Sequence, residues 1–435
     1  MSAFPAMVVV IAMTGLLRPD AARAQVIDTY LPPLGAAYGT TGADQVRAHD
    51  LDEYAPYGIH LGTARIDGEI SASGGYDSNA DAVPNGHASA VFIDAGSASI
   101  VSDWARNQLH AGMTVIDVHY PERSIQDQTS WTATAGGVYD LGRDKLGVSY
   151  NHLDLYQIST DIGALLSIRP VHYQVDSAGI SYSSALHNRL TLIPELLVTQ
   201  YRFGGGSDTG IGSQAYRDRT LLTGSVAGRY EMAPGETLLL VVQGTDIAYQ
   251  QKLAGLPGRD SLGGAVMAGI DFGLSGPIRL RALVGYQRRS YRSDVYGNID
   301  SPIAQLELSW LPTQLTTISL AVQNGIEDSG FENVGGFTYT SARLSLQHAY
   351  LRNLTFGAYT QIQNANYSST PIELQNTPLN QQQSNQTIYG VGLNMKWLLN
   401  RSLSITANYD FSTQNSVLTD SLTTNEFLVG LHFAF

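Results

Sequence analysis

Ten histidines and no cysteine are spread over 435 residues, so disulfides, thiolate metal sites and cysteine nucleophiles are excluded at once. The histidines are scattered rather than set at ligand spacing, and no Gly-x-Ser-x-Gly elbow presents a serine for attack. Asp117 and His119 are two apart, as a carboxylate orienting an imidazole would be, but a solvated rim accounts for both without catalysis. Asp77, Asn79 and Asp81 repeat oxygen donors at alternate positions and lack the further oxygens that calcium requires. The residues therefore point to a protein that is not an enzyme and carries no cofactor. A basic run, Tyr286-Gln-Arg-Arg-Ser-Tyr-Arg292, reads first as a solvated charge cluster, with bridging of lipopolysaccharide phosphates or narrowing of an opening as the alternatives. The net charge of −13 leaves nothing to neutralise phosphates on the scale that nucleic-acid binding demands.

The remaining polar side chains fall at every second position. Ile278, Leu280, Ala282, Val284 and Tyr286 alternate with Arg279, Arg281, Gly285 and Gln287. Tyr389, Val391, Leu393, Met395 and Trp397 alternate with Gly390, Gly392, Asn394 and Lys396; Leu403 to Phe411 opposes Ser404, Thr406, Asn408 and Asp410. A period of two is that of a strand with one apolar and one polar face. Trp131 to Leu141, Ala304 to Trp310, Leu354 to Ile362 and Ile66 to Ser73 follow the same rule. The middle is less regular: Leu238 to Val242 is apolar on both parities, and Pro194 interrupts Leu190 to Gln200, where a proline usually marks a bulge.

Connections between these strands alternate in length. Eight short turns, such as Leu141 to Asp144 and Leu398 to Arg401, interleave with nine longer segments, such as Gln157 to Arg169, Glu327 to Gly336 and Asn364 to Ser384. The expectation is a transmembrane antiparallel up-and-down β-barrel of about 18 strands, with 16 as the alternative, short periplasmic turns and long extracellular loops. Composition agrees. Charged residues make up 14%, against about 25% for soluble chains. The mean hydropathy of −0.07 also comes without a long apolar run beyond the amino-terminus. Tyr76, Trp104, Tyr120, Tyr139, Tyr201, Tyr230, Tyr249, Tyr286, Trp310, Tyr350 and Trp397 lie near proposed strand ends, where membrane-interface girdles form.

The polar parity of such a barrel lines its lumen. The candidates are Asp67, Glu69, Arg229, Asp271, Arg279, Arg281, Glu307, Arg343, Tyr359, Gln361, Lys396 and Asp410. Both signs occur, so no single strong field is expected. Gln and Asn interleaved with Tyr359 offer hydrogen bonds and a stacking face for sugars, or ordinary wet fill.

The chain ends on Phe427, Val429, Leu431, Phe433 and Phe435, one apolar parity running to an aromatic carboxyl-terminus. This looks like the signal that bacterial outer-membrane barrels present to their assembly machinery. At the other end, the apolar stretch Ala6 to Leu17 and the small-x-small site Ala22-Arg-Ala24 read as a secretory signal peptide over 1–24, with no basic residue before the apolar core. Residues 25–56 show neither period and are read as a periplasmic lead segment, weakly ordered or a plug; the barrel follows over 57–435.

The stretch Tyr57 to Asn79, with Gly58, Gly62 and then Gly75-Tyr76-Asp77-Ser78-Asn79, resembles the first-strand motif of the outer-membrane β-barrel porin type 2 family of Gram-negative bacteria. Arg65-Ile-Asp67 stands where an aromatic and proline start is more usual. Physically, Gly74-Gly75 would relieve crowding and Asp77-Ser78-Asn79 would cap a turn. Members of that family often accompany exopolysaccharide synthesis and export proteins. The resemblance therefore implies an outer-membrane channel for a hydrophilic solute, with exopolysaccharide export alongside periplasmic partners as the first reading. A general diffusion porin and an adhesion or envelope-structural barrel are the alternatives. The expected surroundings are outer-membrane lipid and lipopolysaccharide, the barrel assembly machinery and polysaccharide export proteins.

Overall fold

The computed structural model describes residues 56–204, 212–252, 257–273, 276–331, 333–368, 385–416 and 421–435. The expected signal peptide and nearly all of the lead segment lie outside these. The strands in chain order are β1 (Ile59–Leu61), β2 (Ala64–Asp77), β3 (Ser89–Ser102), β4 (Gln108–His119), β5 (Gln128–Asp140), β6 (Lys145–Gln157) and β7 (Val171–His187). Next come β8 (Leu190–Phe203), β9 (Arg219–Ala233), β10 (Glu236–Tyr249), β11 (Ser261–Phe272), β12 (Ile278–Tyr291) and β13 (Ile299–Thr313). The last are β14 (Thr316–Asp328), β15 (Gly336–Leu351), β16 (Leu354–Tyr367), β17 (Gln386–Leu398), β18 (Leu403–Ser416) and β19 (Leu422–Ala434).

Each of β2 to β18 pairs antiparallel with the next, and β19 returns to β2, so 18 strands close a ring and leave no edge. In a hydrocarbon environment that closure satisfies every ladder donor and acceptor without water. The short turns, such as 234–235 between β9 and β10, share one rim with β1 and the carboxyl-terminus. The other rim carries the longer connections, which span seven or more residues except for 417–421.

Alternation sorts the side chains. On β10, Leu238, Leu240 and Val242 are 41 to 53% exposed on the outside while Leu239 and Val241 are buried inside. The outward apolar band is bounded near the short-turn rim by Trp104, Tyr139, Tyr230, Trp310, Tyr350 and Trp397, and towards the other rim by Tyr76, Tyr286 and Tyr389. Three aromatics expected in these girdles face inward instead. Tyr120 packs with Val91, Ile93 and Val118, Tyr201 lies against the Tyr173 and Phe203 cluster, and Tyr249 is buried. Their parity, rather than their nearness to a strand end, decides the side.

Two further details depart from the sequence pattern. The strand expected to begin near Ile59 starts at Ala64, because Gly62 has φ +63° and folds Ile59–Leu61 back as a small hairpin on β2. Only a residue without a Cβ takes that conformation readily. Pro194 causes no bulge: the β7 to β8 register is the same on either side of it, Ser184 opposite Leu192 and Ser181 opposite Glu195.

The seam between β2 and β19 places Gly75 beside Leu428, and a Cβ on Gly75 would come within 1.8 Å of the Phe427 carbonyl oxygen. Below it, the Phe435 amide donates to Gly68 O at 2.9 Å, and the Gly68 amide donates back to Phe435 O at 3.2 Å. The last residue of the chain thus completes the ring.

Candidate functional site

The twelve lumen candidates lie on the strand parity opposite the exposed apolar row. Asp67 accepts from Arg65 at 3.1 Å, and Glu69 pairs with His432 across the seam at 2.9 Å. Asp271 gathers Arg281 at 3.1 Å and Arg229 at 3.9 Å, with Glu307 opposite Arg281 on the next strand. Arg279 lies on the same inward row as Arg281, and Lys396 sits between Thr355 and Thr406. Acids and bases therefore interleave around the wall.

Arg343, Tyr359, Gln361 and Asp410 form one group. The Arg343 guanidinium lies 3.8 Å over the Tyr359 ring and donates to Gln361 Oε1 at 3.1 Å, while Tyr359 OH donates to Asp410 at 2.6 Å. On the neighbouring strand Gly392 meets the same ring so closely that a Cβ there would overlap it. The stacking face that a sugar would need is taken, and Tyr359 acts instead to orient Asp410.

The turn motif is built from side-chain caps. The Asn79 amide donates to Asp77 Oδ1 at 2.8 Å, and Asn79 Nδ2 donates to Val83 O at 2.9 Å. Ser78 Oγ accepts the Asn425 amide at 2.8 Å, tying the first long loop to β19. Asp81 is committed to His87 and to Arg123, whose Nε lies at 2.6 Å. Burial alone would raise the Asp81 carboxyl, but the bonds from His87 and Arg123 outweigh it and hold the group below its ordinary value. Among the described residues no three His, Asp or Glu side chains converge to hold a metal ion. Asp117 and His119 are not joined either: Asp117 accepts from Thr129, and His119 meets Asp127 at 2.8 Å.

The long-loop rim holds the arrangement that periodicity does not reveal. Pairing between β13 and β14 stops at Ala304 opposite Asn324, while β14 stays paired with β15 as far as Asp328 opposite Gly336. Asp328 at that tip binds Arg219 of β9 at 2.9 Å and Arg289 of β12 at 2.8 Å, and accepts from Tyr249 OH of β10 at 3.0 Å. None of these strands adjoins β14 in the wall. The strap after it, described at 329–331 and 333–335, is held by Arg259, whose Nη1 donates to Ser329 O at 2.9 Å and Phe331 O at 3.1 Å while Nη2 reaches Tyr216 O at 3.3 Å. Tyr216 OH adds a bond to Gly330 O at 2.6 Å. A second strap, 158–170, inserts Ile162 among Phe337, Tyr339, Ala365 and Ile388, and Gly163 donates to Gln386 at 3.2 Å.

Arg217 closes this cluster, stacked 3.9 Å over Phe203 and donating to Gln157 at 2.9 Å. Burial, with Arg219 and Arg259 nearby, pushes its guanidinium down to about 10, still protonated at neutral pH. Of the basic run, only Arg289 joins the clamp. Arg288 and Arg292 face solvent, paired with Asp300 at 3.7 Å and Asp246 at 2.6 Å. The parity of the run carries this distinction; Arg217 and Arg259 sit in loops where no period marks them.

Beside the 158–170 strap lies a cleft of about 90 Å³, lined on its polar side by Asp77, Gln128, Gln361, Asp410 and Glu426. It is large enough for several water molecules or part of a small solute. Three carboxylates face it, so a hydrated cation or a neutral hydroxyl-bearing molecule suits it better than an anion.

Comparison with known proteins places these features in context. A family model described as "Putative beta-barrel porin 2" matches residues 52–435. No curated protein matches the chain. Among solved structures, the chain is similar to OccAB3 of Acinetobacter baumannii, with 10% identity, 85% of this chain and 99% of that one covered, and a TM-score of 0.43. It is similar to OccK2 (OpdF) of Pseudomonas aeruginosa at 12% identity, 86% and 98% coverage and a TM-score of 0.45. It is also similar to the FrpB iron transporter from Neisseria meningitidis at 10% identity, 80% and 62% coverage and a TM-score of 0.44.

Proposed function

The chain belongs to the Putative beta-barrel porin 2 family and is an outer-membrane porin, and from that premise we propose that it passes small hydrophilic solutes, cationic or neutral, through the acidic cleft beside its loop straps. The observations that carry this reading are the clamp of Arg259 and Asp328, which ties the connection after β14 to β9, β10, β12 and the turn at Tyr216, and the cleft lined by Asp77, Asp410 and Glu426. Polymer export would need that strap displaced for the length of every chain secreted. The family resemblance favours exopolysaccharide export; the mouth geometry favours the general diffusion alternative.

Solute uptake by liposomes that contain the purified mature protein tests the proposal. Polyols, monosaccharides and small amines are expected to enter, and oligosaccharides of many units to be excluded. In cells, a full deletion is expected to leave surface polysaccharide unchanged. Loss of surface polysaccharide on deletion, restored by the wild-type chain, overturns the small-solute reading in favour of export.

A further inference from the structure

Four arginines, Arg217, Arg219, Arg259 and Arg289, gather where the two straps meet, and the acids do not match them. Arg219 and Arg289 share Asp328 at 2.9 and 2.8 Å. Arg259 donates only to carbonyl oxygens, those of Ser329, Phe331, Val334 and Tyr216. Arg217 donates through Nη2 to the neutral Gln157 side chain at 2.9 Å. Neither Arg217 nor Arg259 has a carboxylate at contact distance among the described residues. The other acids whose charge reaches the group are Asp218, which accepts the Phe203 amide at 2.6 Å, and Glu327, which acts on Arg219 and Arg289. Four positive charges therefore face three negative ones, and one buried guanidinium is left uncompensated.

That guanidinium is Arg217. The residue is 5% exposed, and its Nη1 is shielded from solvent with no hydrogen-bond partner among the described residues. One face of the group is closed by the Phe203 ring at 3.9 Å. Both straps come up to it: a Cβ on Gly330 would stand 3.6 Å from Arg217 Cζ and 2.9 Å from Gly163 O. Burial and the charges of Arg219 and Arg259 push Arg217 down to about 10, with only the Tyr216 and Tyr249 phenols acting the other way. An unmet donor at such a site costs its full desolvation, and an uncompensated charge costs more. A water molecule would satisfy the N–H and leave the charge; an anion satisfies both. A single open N–H in an enclosed setting suits a small, weakly hydrated monovalent ion better than a phosphate dianion, which needs several donors to replace its water.

We propose that the mouth holds one small monovalent anion, of the size and charge of chloride, against Arg217 Nη1, where it locks the two straps together. The ion is a fixed part of the clamp rather than cargo, since none of the four arginines lines the acidic cleft. The proposal holds whatever solute the cleft passes.

Crystals of the purified mature protein grown in bromide, measured at the bromine absorption edge, test the site. An anomalous peak is expected in contact with Arg217 Nη1. In solution, amide exchange over 158–170, 329–331 and 333–335 is expected to be slower in chloride than in gluconate at equal ionic strength. The ratio is about tenfold when chloride stands at ten times its dissociation constant, while β2 to β19 exchange alike in both salts. Arg217→Gln, checked for the heat-modifiable gel migration of a closed barrel, is expected to remove the difference between the salts. No peak at Arg217, or wild-type strap rates that are equal in the two salts, overturns the proposal. A peak without a rate difference marks an adventitious ion only and overturns it as well. A chloride effect that persists in Arg217→Gln overturns the assignment of the ion to this residue.

Discussion

Arg259 ties two loop segments together at the long-loop rim. It donates to backbone carbonyls of two separate segments, the 329–335 strap and the turn at Tyr216. Charged hydrogen bonds of this kind are worth about 1.5 to 3 kcal/mol each, and their acceptors become unsatisfied when the donor is removed. Arg259→Ala is therefore expected to free the strap, raising hydrogen exchange at 329–335 while β2 to β19 keep their protection; an unchanged strap contradicts the clamp. Asp81 gives a pH-dependent counterpart. Its carboxyl is held below the ordinary value of 3.8 in the folded loop, so its stabilisation is complete above that value and is lost as pH falls through the lower folded one. Amide protection over 79–88, corrected for intrinsic exchange, should fall as pH drops below 3.8. Asp81→Asn should abolish that acid step. At this scale the sequence was legible only where parity speaks. The inward setting of Arg289 follows from its strand, but Arg217 and Arg259 lie in non-periodic loops, and the acceptors of their side-chain hydrogen bonds are more than 40 residues distant along the chain.

The wall elements were legible because a membrane barrel repeats one rule: lipid outside, water or polar groups inside, with a period of two. Strand number and connection order follow from it, as does the pairing of the last strand with the first. The rule also explains where the reading stops. Leu238 to Val242, apolar on both parities, breaks alternation because Leu239 and Val241 on its inner face are buried in an apolar cluster, and periodicity alone does not distinguish a buried inner face from a doubtful strand. The β2 to β19 seam makes the sharpest element-scale prediction. Gly75→Val puts a Cβ onto the Phe427 carbonyl, and Phe435→Glu places a charge on the outward row that continues Phe427 to Phe433. Each is expected to lower the fraction of heat-modifiable barrel recovered from outer membranes, and a comparable Gly297→Val change, in a loop with open space around it, is not. Equal recovery for all three would remove the seam from its place in closure.

At the scale of the whole molecule, charge is sorted between the mouth and the lumen. The arginines at the mouth are buried in holding the straps, while Asp77, Asp410 and Glu426 face the cleft that remains. The lumen below carries both signs in near contact, so selectivity is expected to arise at the mouth. The architecture was available from the sequence alone, but the solute path was not, because it depends on how loops separated by most of the chain meet over the opening. The most direct measurement is the reversal potential and conductance of the full mature protein in planar bilayers under a potassium chloride gradient. A small, cation-favouring conductance that grows in Arg259→Ala and loses cation preference in Asp410→Asn is the predicted result. An anion-favouring channel, or one whose conductance is large and indifferent to Arg259, would contradict the account.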